Sequence, residues 1–190
     1  MLELRIGRTV IEFRFLFLAV LTLCFLVDET GIAVLGLLAG IMHECGHLIM
    51  VLITGYAPKR IAFEMTGIRM DQPQDGLSVG KETAVLLAGS LLNFTMAAVS
   101  FPIGWEAFGS VHLVLGILNL LPLKGLDGGK LLVLFFSRFT DLYQAENIVF
   151  IIQIVMNILL STYCIYMFWH QHGNITLLIF CVYLWTSIWK

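Results

Sequence analysis

The stretch Gly31-Ile32-Ala33-Val34-Leu35-Gly36-Leu37-Leu38-Ala39-Gly40-Ile41-Met42-His43-Glu44-Cys45-Gly46-His47-Leu48-Ile49-Met50-Val51-Leu52-Ile53-Thr54-Gly55 decides the fold. It stays apolar for longer than the roughly 20 residues that a helix rising 1.5 Å per residue needs to cross a hydrocarbon layer. Near its middle stand His43, Glu44 and His47. Ionisable side chains at that depth cost several kcal/mol unless they are paired or bound to something. Helix positions four apart share a face, so His43 and His47 can reach one metal ion from the same side. Glu44, one residue after the first histidine, is placed to contact a water on that ion rather than the ion itself. Burial and spacing together make metal binding the simplest reading.

The rest of the chain reads as membrane protein. Of 190 residues, 59% are hydrophobic and 13% charged, and the mean hydropathy is +0.92, far outside soluble-globular usage. Six stretches approach spanning length: Ile11–Val27, Gly31–Gly55, Thr83–Gly104, Phe108–Leu123, Ile148–Trp169 and Ile175–Trp189. The expected fold is an all-α polytopic membrane protein of about six transmembrane helices, forming a single domain over residues 1–190. Arg5 and Arg8 precede the first run as in a signal peptide, but Val27-Asp28-Glu29-Thr30 leads into another apolar stretch without a small-residue cleavage pattern, so the run is expected to stay as a span. With both termini cytoplasmic, every Lys and Arg except Arg14 falls in a cytoplasmic segment or at a cytoplasmic span end, as the positive-inside rule requires. The net charge of −2 does not single out a partner, and nothing points to nucleic acid. Cys24, Cys45, Cys164 and Cys181 lie singly inside apolar runs and read as buried free thiols.

Two cytoplasmic segments are long enough for structure of their own, Tyr56–Glu82 and Lys124–Asn147. In the first, Ile61, Phe63 and Met65 alternate with Ala62 and Glu64, Thr66-Gly67 interrupts, and Ile68 and Met70 alternate with Arg69 and Asp71. That period of two predicts a small membrane-associated β-hairpin after the second span. It serves either as an amphipathic element on the bilayer or as a free edge for an extended substrate strand. Gln72–Gly80 reads as a loop, and Lys130–Phe139 as a short helix.

Catalytic zinc usually has three protein ligands and a water, so two histidines leave one to find. If the second span ends inside near Gly55, His47 lies about 12 Å and His43 about 18 Å from that end, which puts the site in the cytoplasmic half. The fourth span ends on the same side in Asn119-Leu120-Leu121-Pro122-Leu123-Lys124-Gly125-Leu126-Asp127-Gly128-Gly129-Lys130. Pro122 breaks its helix, the glycines permit positive φ or close approach, and Asp127 can fold back to the depth of the histidines. Alternatives for the third ligand are Glu64, Glu82, Glu106 and Glu146, as in a protease class that takes a later glutamate.

His43–His47 and Asn119–Gly128 match the two signatures, H-E-x-x-H and N-x-x-P-x-x-x-x-D-G, of the site-2 proteases, intramembrane zinc metalloproteases of M50 type. The chain resembles that family over roughly residues 31–130, its catalytic core, and the six-span layout looks most like the stage IV sporulation protease group. The resemblance implies His43, His47 and Asp127 as ligands of one Zn2+ per chain and Glu44 as the catalytic base. It also implies that Asn93, in Ala88-Gly89-Ser90-Leu91-Leu92-Asn93, and Asn119 support the site or bind substrate; interspan hydrogen bonding is the other use of such residues. Ser90 stands where the family has proline, as do Lys124-Gly125. Neither a PDZ nor a CBS module is seen, so control would come from a separate regulatory membrane protein.

The activity this implies is hydrolysis of a membrane-anchored or membrane-associated protein in the cytoplasmic membrane as a regulated step, with sporulation as one setting. The competing reading is a zinc transporter or scaffold. A transporter wants ligands relayed toward both faces, whereas His112, His170 and His172 are sparse and read as solvated or interfacial. Glu44 is superfluous to a pure binding site and favours the protease.

Overall fold

The structure, a computed structural model, describes residues 2–6, 9–13, 28–55, 60–64, 67–70, 78–123, 125–169, 182 and 185. Among the described residues four strands, β1 (Leu2–Ile6), β2 (Thr9–Phe13), β3 (Arg60–Glu64) and β4 (Gly67–Met70), precede or interleave with five helices: α1 (Ile32–Ile53), α2 (Val79–Ser100), α3 (Glu106–Asn119), α4 (Asp127–Phe136) and α5 (Leu142–Trp169). The chain divides into two compact units, Met1–Ile117 and Leu118–Lys190.

In the first unit the strands form one sheet in the order β1-β2-β3-β4. β1 and β2 pair antiparallel, β2 and β3 parallel, and β3 and β4 antiparallel, with Ala62 opposite Arg69. One edge of β3 is therefore taken by β2, and within the described residues only β1 and β4 present outer edges. The apolar run expected to begin a span at Ile11 starts instead in β2. β-branched Thr9, Val10 and Ile11 followed by charged Glu12 suit a strand better than a helix start. Residues 14–27 of that run lie outside the described residues.

α1 begins where Asp28 gathers the loose N–H groups of its first turn. One carboxylate oxygen accepts from the backbone of Ala33 at 2.7 Å and of Val34 at 3.4 Å, the other from Thr30. The helix stops at Thr54, whose carbonyl accepts from Lys81 Nζ at 3.1 Å, and Gly55 follows with φ +83°, a left-handed terminator suited to glycine. α1 packs along α2 at very close range. A Cβ on Gly46 would sit 2.6 Å from the carbonyl oxygen of Ala88, so only glycine lets these backbones meet. α3 approaches α2 in the same way, with Gly116 against the Phe94 ring and Asn93 Cβ.

In the second unit, Leu120–Leu126 turns the chain through Pro122 and Gly125, the latter at φ +95°. Proline cannot adopt that φ, so this turn differs from a proline-built one. A Cβ on Gly128 would overlap the carbonyls of Leu120 and Leu121. Of the glycines around Asp127, then, Gly125 supplies positive φ and Gly128 supplies close approach. α4 starts at Asp127, three residues before the expected Lys130. α5 starts at Leu142 rather than Ile148, because Asp141 caps it: its carboxylate accepts from Gln144 N–H at 3.1 Å, a signal present in Asp141-Leu142-Tyr143-Gln144.

α1, α2 and α5 are long and apolar enough to cross a membrane, and α3 is apolar but shorter. Their faces are inverted relative to a soluble protein. Ile151, Val155, Ile158 and Leu159 of α5 are exposed while Gln153 and Asn157 are each 1% exposed; on α1, Ile41, Ile49 and Ile53 are exposed while His43 and His47 are buried. Such inversion fits lipid as the surrounding solvent. Cys45, expected to be buried, is exposed on that apolar surface, and Cys164 is buried. Cys24, and all of Ile175–Trp189 except Val182 and Trp185, lie outside the described residues.

Candidate metal centre

Four residues apart on α1, His43 and His47 are both buried and turn their Nε2 atoms to within 3.0 Å of each other. Two nitrogens at about 2.0–2.1 Å from one zinc in a tetrahedron stand roughly 3.3 Å apart, so this pair fits that ion with little movement. Each ring is held at its other nitrogen. His47 Nδ1–H donates to the Val85 carbonyl at 2.7 Å, which leaves His47 Nε2 bare and able to ligate. His43 Nδ1 lies 3.1 Å from the amide nitrogen of Asn93. Both partners come from α2, on the face that Gly46 brings close.

Gly89 completes the cradle. A Cβ there would sit 2.6 Å from His47 Nε2 and 2.7 Å from His43 Nε2. The gap beside the two nitrogens is thus kept open by the absence of a side chain.

Asn93 does more than touch His43. Its Oδ1 accepts from His112 Nδ1–H at 2.9 Å, and both Asn93 and His112 have no exposure. The expectation that His112 is solvated or interfacial is therefore wrong. It lies on the inward face of α3 with Gly109 and Gly116, its ring tilted against Phe108. His112 is the site residue that sequence reasoning passed over; its i, i+4 spacing to Gly116 on a short apolar helix was the available signal.

Asp127 is the first residue of α4 and is 7% exposed. The positive end of the helix dipole favours a carboxylate there, and Lys130 Nζ lies 3.6 Å from Oδ1. Ligand atoms of His43, His47 and Asp127 all lie within 4.8 Å of one another. Two imidazoles and a carboxylate with a fourth position left over form a donor set of the catalytic zinc type. Glu44 follows His43 on α1 and is half-buried, and Asn119, also half-buried, ends α3. Of the alternative third ligands, Glu82 and Glu106 occupy the first turns of α2 and α3, and Glu146 lies near the start of α5. The second unit holds a cavity of about 520 Å³ lined by Gly125, Gly129, Lys130, Glu146, Asn147 and Gln153 among others.

No family model matches the chain. Over 139 residues it is 28% identical to stage IV sporulation protein FB of Bacillus subtilis (strain 168), a match that takes in 62% of this chain and 48% of that protein. The chain thus spans about half the length of that curated relative. Its fold is that of the site-2 protease from Methanocaldococcus jannaschii, with a TM-score of 0.68 at 20% identity over 98% of this chain and 93% of the other. The chain is thus similar in sequence, over part of its length, to the one and in fold to the other.

Proposed function

We propose that the chain is an intramembrane zinc metalloendopeptidase that cuts membrane-anchored or membrane-associated proteins as a regulated step. The observation that carries this reading is the buried His43–His47–Asp127 group, with Glu44 next to a ligand on an apolar helix. A zinc ion held there would polarise the scissile carbonyl and lower the pKa of a water beside it to about 7. His43, His47 and Asp127 would hold the ion. Glu44 takes the proton of the attacking water on its carboxylate and passes it to the leaving amine, as a general base and then acid. Asn93 fixes the His43 ring, and Asn119 orients substrate.

The path for water toward Asp127 is the cavity of its own unit, whose wall carries Lys130, Glu146 and Asn147 among apolar residues. A helical substrate hides its carbonyls in its own hydrogen bonds and must unwind. The outer edge of β4 is suited to hold the unwound strand. The site sits in the cytoplasmic half of the cytoplasmic membrane with both chain termini inside, and regulation comes from a separate membrane protein. The likeness to a sporulation protein suggests a membrane-tethered precursor as substrate. Burial of His112 against Asn93 removes it from any outward relay, which counts against zinc transport.

The test is zinc content and cleavage of a membrane-tethered substrate by detergent-purified protein. Wild type is expected to hold about one zinc per chain and to cut. Glu44→Gln keeps zinc and loses cleavage, Asp127→Ala loses both, and Glu82→Ala keeps both. A wild type unable to bind zinc ends the metalloprotease reading.

A further inference from the structure

The outward side of α5 carries exposed Ile151, Val155 and Ile158, whereas the side that lines the cavity of the second unit carries Glu146, Val149, Phe150 and Gln153. These four stand at i, i+3, i+4 and i+7 and so share one helix face. Lys130 and Val133 of α4 complete the same wall. The chemistry along this face is graded. Glu146 is exposed, Val149 and Phe150 are apolar, and the amide of Gln153, about 10 Å farther along the helix, is buried. The two charges at the open end are not equivalent. Lys130 Nζ is turned to Asp127 Oδ1 at 3.6 Å, while the Glu146 carboxylate makes no hydrogen bond or ion pair with any described residue.

A carboxylate above an apolar wall complements a segment that passes from apolar residues to a basic one. Membrane spans end in that way on the cytoplasmic side, where Lys and Arg gather. We infer that this cavity receives the cytoplasmic end of the substrate's span, with an apolar residue against Val149 and Phe150 and a following Lys or Arg paired with Glu146. Glu146 is then a specificity-determining residue, and the substrate class is a membrane-anchored protein with a basic cytoplasmic flank. An acidic flank would meet Glu146 and find Lys130 already turned to Asp127. A volume of about 520 Å³ suits a drug-sized ligand, so two side chains leave room for water. The identity of the ligand rests on the protease reading above, and the experiment separates the two.

The full chain carrying Glu44→Gln is titrated, in an uncharged detergent, with three fluorescent peptides, each a leucine–alanine span ending in Lys-Lys, Gln-Gln or Glu-Glu. The Lys-Lys peptide should bind about two- to fivefold more tightly than Gln-Gln, with Glu-Glu weakest, and the spread should shrink as salt is raised. Adding Glu146→Gln should make Lys-Lys and Gln-Gln bind alike, and adding Glu146→Lys should place Glu-Glu first. Glu106→Gln, in the first turn of α3, should keep the original order. Equal binding of the three peptides, a preference for Glu-Glu with Glu146 in place, or a Lys-Lys preference that survives Glu146→Gln overturns the inference. Should the variants at 146 not fold, the order of the three peptides on the unaltered cavity decides alone. The same peptides are then offered to protein with Glu44 intact. Binding in the expected order with no peptide cut would remove the protease reading and leave the cavity's preference standing; cleavage at one kcat/KM for all three, with equal binding, would do the reverse.

Discussion

Replacing Gly89 by alanine should separate the fold from the metal site. The new Cβ would lie 2.6 Å from His47 Nε2 and 2.7 Å from His43 Nε2 and Cε1, so those ring tips must retreat by about 0.7–0.8 Å to reach ordinary van der Waals separation. For the fold this is tolerable. Ring tips move more easily than backbone, the hydrogen bonds to Val85 and Asn93 are worth about 1 kcal/mol each net, and alanine returns about 1 kcal/mol of helix propensity. The expected net destabilisation is about 1 kcal/mol or less. For the ion it is not tolerable, because ligand positions hold to about 0.2 Å. Zinc affinity should fall by at least 10–100-fold, read by chelator competition and zinc per purified chain, while the unfolding temperature shifts by only a few degrees. Gly40→Ala is the matched control: it lies three residues before His43, nothing stands within 4 Å of its Cβ position, and it should keep full zinc. A Gly89→Ala protein with wild-type zinc affinity would refute this account of the site.

Gly46→Ala should behave in the opposite way, because the clashing atom is the Ala88 backbone carbonyl; a stability loss of about 1–3 kcal/mol in denaturant titration is expected, with zinc lost only as the helices part. For Asp28, burial pushes the carboxyl up, but hydrogen bonds from the Thr30 hydroxyl and the N–H groups of Ala33, Thr30 and Val34 outweigh it and hold the group below its ordinary range. A depressed carboxyl stabilises the fold above its unfolded pKa and loses that contribution as pH falls through the folded value, so thermal unfolding of Asp28→Ala should lie below wild type near neutral pH and converge with it in acid. Proline at Ile68 and, separately, at Arg69 should affect cleavage unequally: successive N–H groups of a strand point to opposite edges, so one variant disturbs pairing with β3 and the other blocks the outer edge of β4. If both fold and both cut at the wild-type rate, that edge does not hold substrate.

Much of the candidate site's geometry was legible because it is written locally. His43 and His47 share a helix face by spacing alone, and Asn119–Gly128 carries its own turn chemistry. Helix bounds were legible at a glycine terminator such as Gly55 and obscure where the start depends on a polar cap, as at Asp141. β2 was hidden because a strand of Val10, Ile11 and Phe13 runs directly into an apolar stretch, and composition does not mark the change. His112 was misjudged for a different reason. Its meaning depends on Asn93 and Gly116, which lie on two helices, and no single-helix pattern reports a hydrogen bond between helices. The role of Gly89 is likewise invisible in sequence, since the atoms its Cβ would strike belong to α1.

In lipid, apolar side chains gain little by leaving one hydrocarbon surface for another, so helices are held by close packing and by hydrogen bonds between them. Here the two devices coincide. Gly46 adjoins His47, Gly89 precedes Asn93 by four residues, and Gly116 follows His112 by four, and at each of these glycines an added Cβ would meet the neighbouring helix. The links from Val85 to His47 and from His43 through Asn93 to His112 therefore span backbones already pressed together, and short side chains reach across without strain. It follows that the separation of α1, α2 and α3 sets the geometry of His43 and His47 more than the choice of outward side chains does. Exchanges among large apolar residues at exposed Ile49, Leu91 and Val114 should leave zinc content unchanged, whereas one methyl group at a glycine on the inner face should not.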